Sequence, residues 1–356
     1  MKIMVMAGGT GGHVFPALAV AQALRERGHE VVWMGAPDSF ESRVVPKHDF
    51  AIEYVRVSGL RGKGVVRLLY APLLLLRALL DALAVLRRQK PQLVLGMGGF
   101  ASGPGGLAAW MQSRSLIIHE QNAVAGLTNR CLSVFARKVL QAFPGTFASR
   151  RVLTVGNPVR EPLTRLRQPA ERFQGRAGPL KLLVVGGSQG ARALNEKVPQ
   201  ALQLMIPAQR PLVRHQAGRT LDVAQSAYAR YGVQASVEAF IEDMAAAYDW
   251  ADLVLCRAGA STIAELAAAG CAAILVPFPA AVDDHQTRNA QYLVRVGAAI
   301  LIPERDLSAE RLASVLNELQ LDRARQLSMA QAARGAAMPG AVQAIVQCLE
   351  AEGATS

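Results

Sequence analysis

The sequence predicts two doubly wound α/β domains in tandem. Short apolar runs rich in β-branched residues alternate with helical patterns along the chain, and this alternation restarts near residue 180. A glycine-rich turn follows the first apolar run of each half, at Gly8–Gly12 and at Gly186–Gly190. The length of 356 residues also fits two domains of ordinary size. Because ligands of such sheets bind beyond the carboxyl ends of the strands, we expect the two turns to face each other across an interdomain cleft.

The candidate strands of both halves are continuous apolar runs, which is typical of a parallel sheet covered on both faces. In the first half they are Lys2–Ala7, Glu30–Met34, Ile52–Val57, Gln92–Gly96, Ser115–His119 and Lys138–Ala142. In the second half they are Leu180–Val185, Pro211–His215, Val233–Ala239, Leu253–Cys256, Ala272–Val276 and Ala299–Ile302. The polar, proline-dotted residues 161–178 are predicted to link a first domain, 1–160, to a second, 179–335.

The first glycine turn, Gly8-Gly-Thr-Gly-Gly-His13, predicts a site for an anionic or polar oxygen. It joins an apolar run to a helix whose apolar face includes Val14, Leu18 and Leu24. Glycines allow positive φ and close approach of a ligand, and the first N–H groups of the helix would point at that ligand. A tight turn without a ligand is the alternative. The spacing is neither a dinucleotide fingerprint nor a P-loop.

A further glycine-rich stretch, Gly96–Gly106, also follows a strand and opens a helix, with Pro104 suited to the first helical turn. This stretch predicts either a second anion site or a close approach of the helix to the sheet.

The basic excess lies entirely in the first half, which predicts an anionic partner for that domain. Residues 1–160 hold 20 Lys and Arg against 8 Asp and Glu, whereas residues 161–356 hold 19 of each. Within Arg56–Lys90 eight basic residues surround one acid, Asp81, and a leucine-heavy run broken by Pro72. The charges argue against a spanning helix and favour a helix lying at an anionic membrane surface; an ordinary core helix is the alternative.

Other residue types exclude several classes of site. The cysteines are far apart, which predicts reduced, buried thiols of a cytosolic protein: Cys131, Cys256, Cys271 and Cys348. No signal peptide is expected at the N-terminus, because Lys2 leads straight into a strand. The histidines lack metal-ligand spacing and no D-x-D triplet occurs, so we expect no metal and no cofactor.

Two polar segments of the second half could bind sugar hydroxyls. Glu265 follows the strand-to-helix segment that starts at Cys256 and could accept both hydroxyls of a ribose; a capping box with Thr262 is the alternative. The segment Pro277–Asn289 could hold sugar hydroxyls, or Asp283 or Asp284 could be a helix N-cap.

Together these motifs resemble the bacterial MurG-type glycosyltransferases of peptidoglycan synthesis. The resemblance covers essentially the whole chain and rests on motifs in family order: Gly8–His13 with Phe15-Pro16, Ser58–Gly64, Gly98–Gly106, His119-Glu-Gln-Asn122, Gly156-Asn-Pro158, Gly186–Ala191 and Arg257–Ala260. It implies a GT-B fold, in which the final helix, residues 336–356, crosses back to the first domain. It implies inverting transfer of N-acetylglucosamine from UDP-N-acetylglucosamine to undecaprenyl-diphospho-N-acetylmuramyl-pentapeptide. It also implies a peripheral position on the cytoplasmic face of the inner membrane, with no nucleic-acid partner.

The resemblance also implies which residues contact the nucleotide sugar. Ile241 would pair with uracil through its backbone, Glu265 would hold the ribose, and Ser188 and Arg160 would meet phosphate. The implied set is Thr10, Gly11, Gly12, Asn122, Arg160, Ser188, Ile241, Ala260, Ser261, Thr262, Ile263, Ala264, Glu265 and Gln286. Phe100 stands where the family often has Tyr, and Ser261-Thr-Ile-Ala264 where relatives often have Leu-Thr-Val-Ser, so backbone contacts are expected there.

His13 is the candidate catalytic base, because the attacking hydroxyl must lose a proton near neutral pH. The alternative is that it orients the loop or donates to a phosphate.

Three other function classes remain as alternatives. A non-hydrolysing UDP-sugar epimerase shares this architecture but has no need of the leucine-and-arginine face. A nucleic-acid-binding protein could use the basic half, although its basic stretch is poor in aromatic residues. The third class is a dinucleotide-dependent oxidoreductase, but the glycine spacing does not match the fingerprint of that class.

Overall fold

The computed structural model describes residues 1–57 and 70–354. The chain forms two compact units: Met1–Val159 together with the C-terminal stretch from Pro339, and Arg160–Met338. Each unit contains one all-parallel sheet flanked by helices, so the predicted pair of doubly wound domains is confirmed.

The first unit is built on a seven-stranded sheet within the described residues, in the order β3-β2-β1-β4-β5-β6-β7. Its strands are β1 (Lys2–Met6), β2 (Glu30–Gly35), β3 (Ala51–Tyr54), β4 (Leu93–Gly96), β5 (Ser115–Glu120), β6 (Lys138–Gln141) and β7 (Val152–Thr154). The edge strand β7 is missing from the sequence prediction. Two of its three residues are exposed, so it lacks the continuous apolar pattern of a central strand.

Helices cover both faces of this sheet. Successive strand residues point to opposite sides, so both faces carry apolar side chains that the helices bury. Ile3 and Val5 pack into one apolar cluster, and Met4 and Met6 into the other. The helices are α1 (Gly11–Glu26), α2 (Phe40–Val44), α3 (Ala71–Gln89), α4 (Ser102–Met111) and α5 (Leu127–Leu132). The last helix of the chain, Ala341–Gly353, packs against α1 through Ile345, Val346 and Leu349.

The leucine-rich helix α3 is exposed over its first turns and packs on the core from Ala78 onward. Ala78, Ala82 and Leu86 are fully buried against the sheet. Residues 72–77 are exposed on all sides of the helix, and the large apolar side chains there and at Leu80 are between 37% and 63% exposed. These are Leu73, Leu74, Leu75, Leu76 and Leu80, which we call the leucine face. Arg61, Lys63, Arg67, Leu68 and Leu69, which the sequence analysis included in this stretch, lie outside the described residues.

The second unit repeats the design with a six-stranded sheet, ordered β10-β9-β8-β11-β12-β13 in the described chain. Its strands are β8 (Lys181–Val185), β9 (Leu212–Gln216), β10 (Ser236–Glu238), β11 (Leu253–Cys256), β12 (Ala272–Leu275) and β13 (Ala299–Leu301). Its helices are α6 (Glu161–Thr164), α7 (Pro169–Phe173), α8 (Arg192–Leu204), α9 (Leu221–Tyr231), α10 (Met244–Trp250), α11 (Ala260–Ala269), α12 (His285–Arg295), α13 (Ala309–Leu321) and α14 (Arg323–Gly335). The closing helix Ala341–Gly353 is therefore α15.

The predicted linker, residues 161–178, differs from the structure, because it folds as part of the second unit. It forms α6 and α7, which pack against α11 and α14. The Arg172 side chain is buried and donates to the carbonyl oxygens of Tyr248 and Gly270. Both terminal nitrogens of the buried guanidinium are therefore paired with backbone oxygens, an arrangement that the polar, proline-containing sequence does not indicate.

All four cysteines are free thiols, and two of them are buried. Burial raises the pKa of Cys256 and of Cys271. Cys131 is exposed, so the expectation that all four are buried is wrong at that position. In the parts of the chain that the structure describes, we find no helix with the length and apolar character needed to span a membrane.

Candidate active site

The candidate residues of the first unit lie on the loops that follow β1, β4 and β5, which are neighbours in the sheet. Parallel strands bring these loops to one edge, as the sequence argument requires. The loops are joined by hydrogen bonds: the N–H of Gly8 donates to the Gly98 carbonyl at 3.2 Å, and the Gln121 amide donates to the Met97 carbonyl at 2.9 Å. Hydrogen bonds therefore hold these three loops together at one edge of the sheet.

His13 lies in the first turn of α1, and its imidazole is fixed on two sides. Its Nδ1 lies 2.9 Å from Oε1 of Gln121, which is buried. A Cβ atom on Gly98 would lie 2.8 Å from both Nδ1 and Cε1 of the ring, so the glycine is needed for the imidazole to lie there. Gly98 also has a φ of +92°, a conformation that glycine adopts readily.

The first glycine turn is partly filled by a carboxylate of the protein itself. Glu41 is buried and accepts from the N–H of Gly9 at 2.9 Å and of Ala36 at 3.1 Å. Helix α1 begins after Thr10, whose side chain makes no capping hydrogen bond. The helix start at Gly11 and Gly12 thus has no side-chain cap from Thr10, which suits an anionic ligand.

Several glycines of the Gly96–Gly106 stretch allow close packing, which is one of the two interpretations that the sequence leaves open. A Cβ on Gly99 would lie 2.6 Å from the backbone nitrogen of Gly8. A Cβ on Gly106 would lie 2.7 Å from the Leu132 side chain. Helix α4 therefore approaches the sheet and its neighbours more closely than any other residue type allows.

The motif His119-Glu-Gln-Asn122 holds the loop after β5 in place. His119 is fully buried and donates from Nε2 to the Gly156 carbonyl at 2.9 Å; burial lowers its pKa to about 4. Glu120 accepts from the N–H groups of Asn122 and Gly126, at 3.0 and 3.1 Å. Asn122, a predicted contact, is partly buried at the site edge.

In the second unit the carboxylate of Glu265 is held between two donors. Arg160 donates to Oε1 at 3.1 Å, and the buried Tyr248 hydroxyl donates to Oε2 at 3.2 Å. Burial raises the pKa of Glu265, and the Arg160 guanidinium opposes that rise. Glu265 is not a capping-box partner, since α11 has Gly259 at its N-cap and no side-chain cap. Each carboxylate oxygen retains acceptor capacity for a ribose hydroxyl.

Gln286 joins two loops of this unit through one atom. Its Oε1 accepts from the N–H of Ala258 at 3.2 Å and of Phe278 at 2.9 Å. Because the carbonyl oxygen is occupied, the Nε2 amide hydrogens are the group that Gln286 can offer to a ligand. Asp284 occupies the N-cap position of α12 but makes no cap bond, and its Oδ1 accepts from Thr287 instead.

The other predicted contacts of the second unit follow the same edge of its sheet. Ser188 is exposed in the turn after β8, and Ile241 is buried just after β10, which leaves its backbone as the usable part. The remaining positions form the first turns of α11: Ala260, Ser261, Thr262, Ile263 and Ala264. The Ser261 hydroxyl is buried and finds no hydrogen-bond partner among the described residues.

Three functional candidates were missed by the sequence analysis: Glu41, Gln121 and Tyr248. Gln121 was quoted within a motif but given no role, and only its distance to His13 gives it one. Glu41 and Tyr248 lie in ordinary helical sequence, where no pattern marks them. Among the described residues, no group of three or more His, Cys, Asp or Glu could hold a metal ion.

Comparison with known proteins matches both halves to one family. The glycosyltransferase family 28 N-terminal domain matches residues 3–141, and its C-terminal domain matches residues 181–345. The UDP-N-acetylglucosamine–N-acetylmuramyl-(pentapeptide) pyrophosphoryl-undecaprenol N-acetylglucosamine transferase of Alkalilimnicola ehrlichii is 58% identical over 98% of this chain and 99% of its own length. Its namesake from Marinobacter nauticus is 56% identical over 98% of this chain and 97% of its own.

A solved structure supports the same assignment. The crystal structure of Acinetobacter baumannii MurG is 42% identical, with a TM-score of 0.86 over 98% of this chain and 99% of its own. Two family domains in order, relatives matched along nearly their whole length and this structural agreement lead to one conclusion. The chain belongs to glycosyltransferase family 28.

Proposed function

We propose that this chain transfers N-acetylglucosamine from UDP-N-acetylglucosamine to the 4-hydroxyl of lipid-linked N-acetylmuramyl-pentapeptide, which completes the lipid-linked disaccharide precursor of peptidoglycan. The observation that carries the proposal is the identity of 56–58%, along nearly the full length, to transferases named for that reaction. The glycine turns and uncapped helix starts are consistent with a diphosphate-bearing donor.

The second unit is proposed to bind the donor. Glu265 would accept the ribose hydroxyls, and the backbone of Ile241 would pair with uracil. Arg160 is half-exposed in its ion pair with Glu265, so its guanidinium can also reach an incoming phosphate. Gln286 would donate its amide hydrogens to the sugar, because its oxygen is already bonded to two backbone N–H groups.

The first unit is proposed to bind the acceptor and to supply the base. The 4-hydroxyl oxygen forms a bond to the anomeric carbon while the bond from that carbon to the UDP oxygen breaks. The hydroxyl proton passes to His13, and UDP leaves with the bonding electrons. Attack from the face opposite UDP inverts the α-linked donor to a β-linkage, with no covalent enzyme intermediate.

The acceptor carries a polyprenyl chain, so we propose that the first unit rests on an anionic lipid surface at the cytoplasmic face of the inner membrane. The leucine face of α3 supplies exposed apolar area, and Arg77 and Arg87 on the same helix are exposed cations. Trp110 and Met111 add exposed apolar surface at the end of α4, which packs against α3. An apolar face flanked by cations is the composition expected of interfacial binding.

The test is incubation with UDP-N-acetylglucosamine and a short-chain lipid-linked acceptor, with and without EDTA. We expect a β-linked disaccharide lipid and free UDP in equal amounts, with no effect of EDTA. Release of a free N-acetylmannosamine-type product without acceptor would identify a UDP-sugar epimerase instead. A salt-dependent shift of DNA would favour nucleic-acid binding. Loss of activity with EDTA that Mg²⁺ restores would contradict the expectation of a metal-free reaction.

A further inference from the structure

The hydrogen bonds of Gln121 determine which way its amide is turned. Its Nε2 lies 2.9 Å from the Met97 carbonyl oxygen, and its own backbone carbonyl accepts from Asn157 at 2.9 Å. A carbonyl oxygen can only accept, so the atom facing Met97 must be the NH₂ group. The side chain is 1% exposed, and water is therefore excluded as a competing partner. The opposite end of the amide is then the oxygen.

That oxygen determines which ring nitrogen of His13 carries the proton. Oε1 of Gln121 lies 2.9 Å from Nδ1 of His13. Because the amide oxygen is an acceptor, Nδ1 must donate, and a neutral imidazole that donates from Nδ1 keeps its lone pair on Nε2. With Nδ1 bonded to Gln121, the second ring nitrogen lies on the other side of the ring from the Gln121 oxygen.

We propose that Gln121 is a positioning residue that holds neutral His13 in the Nδ1–H tautomer, so that Nε2 is the atom that takes the acceptor proton. The inference rests on the proposed role of His13 as base. The arrangement is a neutral counterpart of a carboxylate that orients a catalytic histidine: the amide selects the tautomer without adding charge. When Nε2 accepts the proton, the Nδ1–H bond to Gln121 is kept.

The tautomer can be measured directly in the full chain. Nitrogen NMR of ¹⁵N-histidine-labelled protein at pH 8 distinguishes a protonated ring nitrogen from one with a lone pair, and the His13→Asn variant identifies the His13 signals. We expect a protonated Nδ1 and an unprotonated Nε2. A proton on Nε2 would overturn the proposal.

A matched pair of variants tests the consequence for turnover. Gln121→Met removes the acceptor at similar volume, and we expect kcat to fall by about 10- to 100-fold while KM for each substrate changes less than about threefold. Gln141→Met is the control, since Gln141 is also buried and bonded to Thr154 and Phe147 in the same sheet. Its kcat should stay within about twofold of the parent.

Gln121→Glu tests whether a lower kcat in Gln121→Met comes from the lost orientation of His13 or from a general disturbance of the site. Burial favours the protonated acid of this variant, whose O–H can donate to the Met97 carbonyl while its other oxygen accepts from Nδ1. The tautomer should therefore persist, and kcat should exceed that of Gln121→Met. Equal kcat in Gln121→Met and the parent would overturn the positioning role. If Gln121→Met does not fold, the NMR measurement on the parent still decides between the two tautomers. Full turnover of His13→Asn would refute the base role alone, whereas the tautomer measurement is unaffected by that result.

Discussion

Oε2 of Glu41 accepts a hydrogen bond from the N–H of Gly9 at 2.9 Å, inside the glycine turn that precedes His13. The other carboxylate oxygen accepts from Ala36, so the side chain ties the ends of β1 and β2 together. A Cβ atom on Gly8 would overlap the Glu41 carboxylate, which explains why glycine is needed at that position. An internal carboxylate thus shapes the turn for which the sequence predicts an anionic or polar oxygen.

We predict that Glu41→Ala destabilises the first unit, because it leaves the buried N–H of Ala36 without an acceptor and removes the bond to the exposed Gly9. An unpaired buried N–H group costs about 1–3 kcal/mol. Urea unfolding should show this loss, and kcat should fall because the turn before His13 loosens. Glu30→Ala, which removes an exposed ion pair with Lys2, is the control and should change stability by less than about 1 kcal/mol. Equal stability of the two variants would contradict the anchoring role.

The fold was predictable because parallel strands buried on both faces give continuous apolar runs, as at Leu93–Gly96 and Leu253–Cys256. Edge strand Val152–Thr154 was not, since two of its three residues face solvent. The positions of His13 and Glu265 followed from motifs, but their partners Gln121 and Tyr248 did not. These contacts form between loops that are far apart in the sequence. A local sequence pattern therefore cannot predict which side chains they bring together.

The donor site predicts different effects for two of its residues. Glu265→Ala leaves the Tyr248 hydroxyl, Arg160 and the ribose hydroxyls without their acceptor, which should cost about 1–3 kcal/mol of binding for both UDP and UDP-N-acetylglucosamine. Gln286→Ala should weaken only the nucleotide sugar, since its amide is assigned to the sugar. Isothermal titration with both ligands checks this. Unchanged UDP affinity in Glu265→Ala would show that the ribose assignment is wrong.

The leucine face predicts a measurable membrane contact. Replacing Leu73, Leu76 and Leu80 by Ser should reduce sedimentation with anionic liposomes by about tenfold or more, because each leucine contributes apolar area at the interface. The control changes Leu204, Leu212 and Leu321 of the second unit to Ser. These leucines are also exposed, and their replacement should leave liposome binding unchanged. Leu79 stays unchanged in the variant, because its side chain packs against the core of the first unit.

Arg77 and Arg87 test the electrostatic part of that contact. Changing both to Glu should weaken binding mostly at low salt, since screening shortens the reach of surface charge. Activity on a soluble, short-tailed acceptor should survive this change better than activity on liposomes. Liposome binding equal to the parent in both the leucine and the arginine variants would refute the membrane surface.

The buried imidazole of His119 predicts an acid-sensitive first unit. Its pKa is lowered from 6.5 to about 4 in the folded chain, so the folded state stays neutral where the unfolded state takes up a proton. Stability is therefore complete above pH 6.5 and is lost as pH falls towards 4, by up to about 3 kcal/mol. His119→Gln, which can still donate to Gly156, should reduce this pH dependence. Urea unfolding at pH 7 and pH 5 measures it, and an identical pH dependence in variant and parent would contradict the assignment.

His13 gives the sharpest test of the proposed chemistry. If it accepts the proton of the 4-hydroxyl, His13→Ala should lower turnover by about 10²–10⁴-fold, the usual contribution of a general base. UDP affinity should barely change, since the proposed uracil and ribose contacts belong to the second unit. His13→Asn keeps a hydrogen-bonding side chain without basicity and should be nearly as impaired as His13→Ala. Single-turnover measurements with saturating donor isolate this step from product release. If His13→Asn turned over close to the parent rate, His13 would orient the loop or a phosphate, and the proton would have to leave by another group.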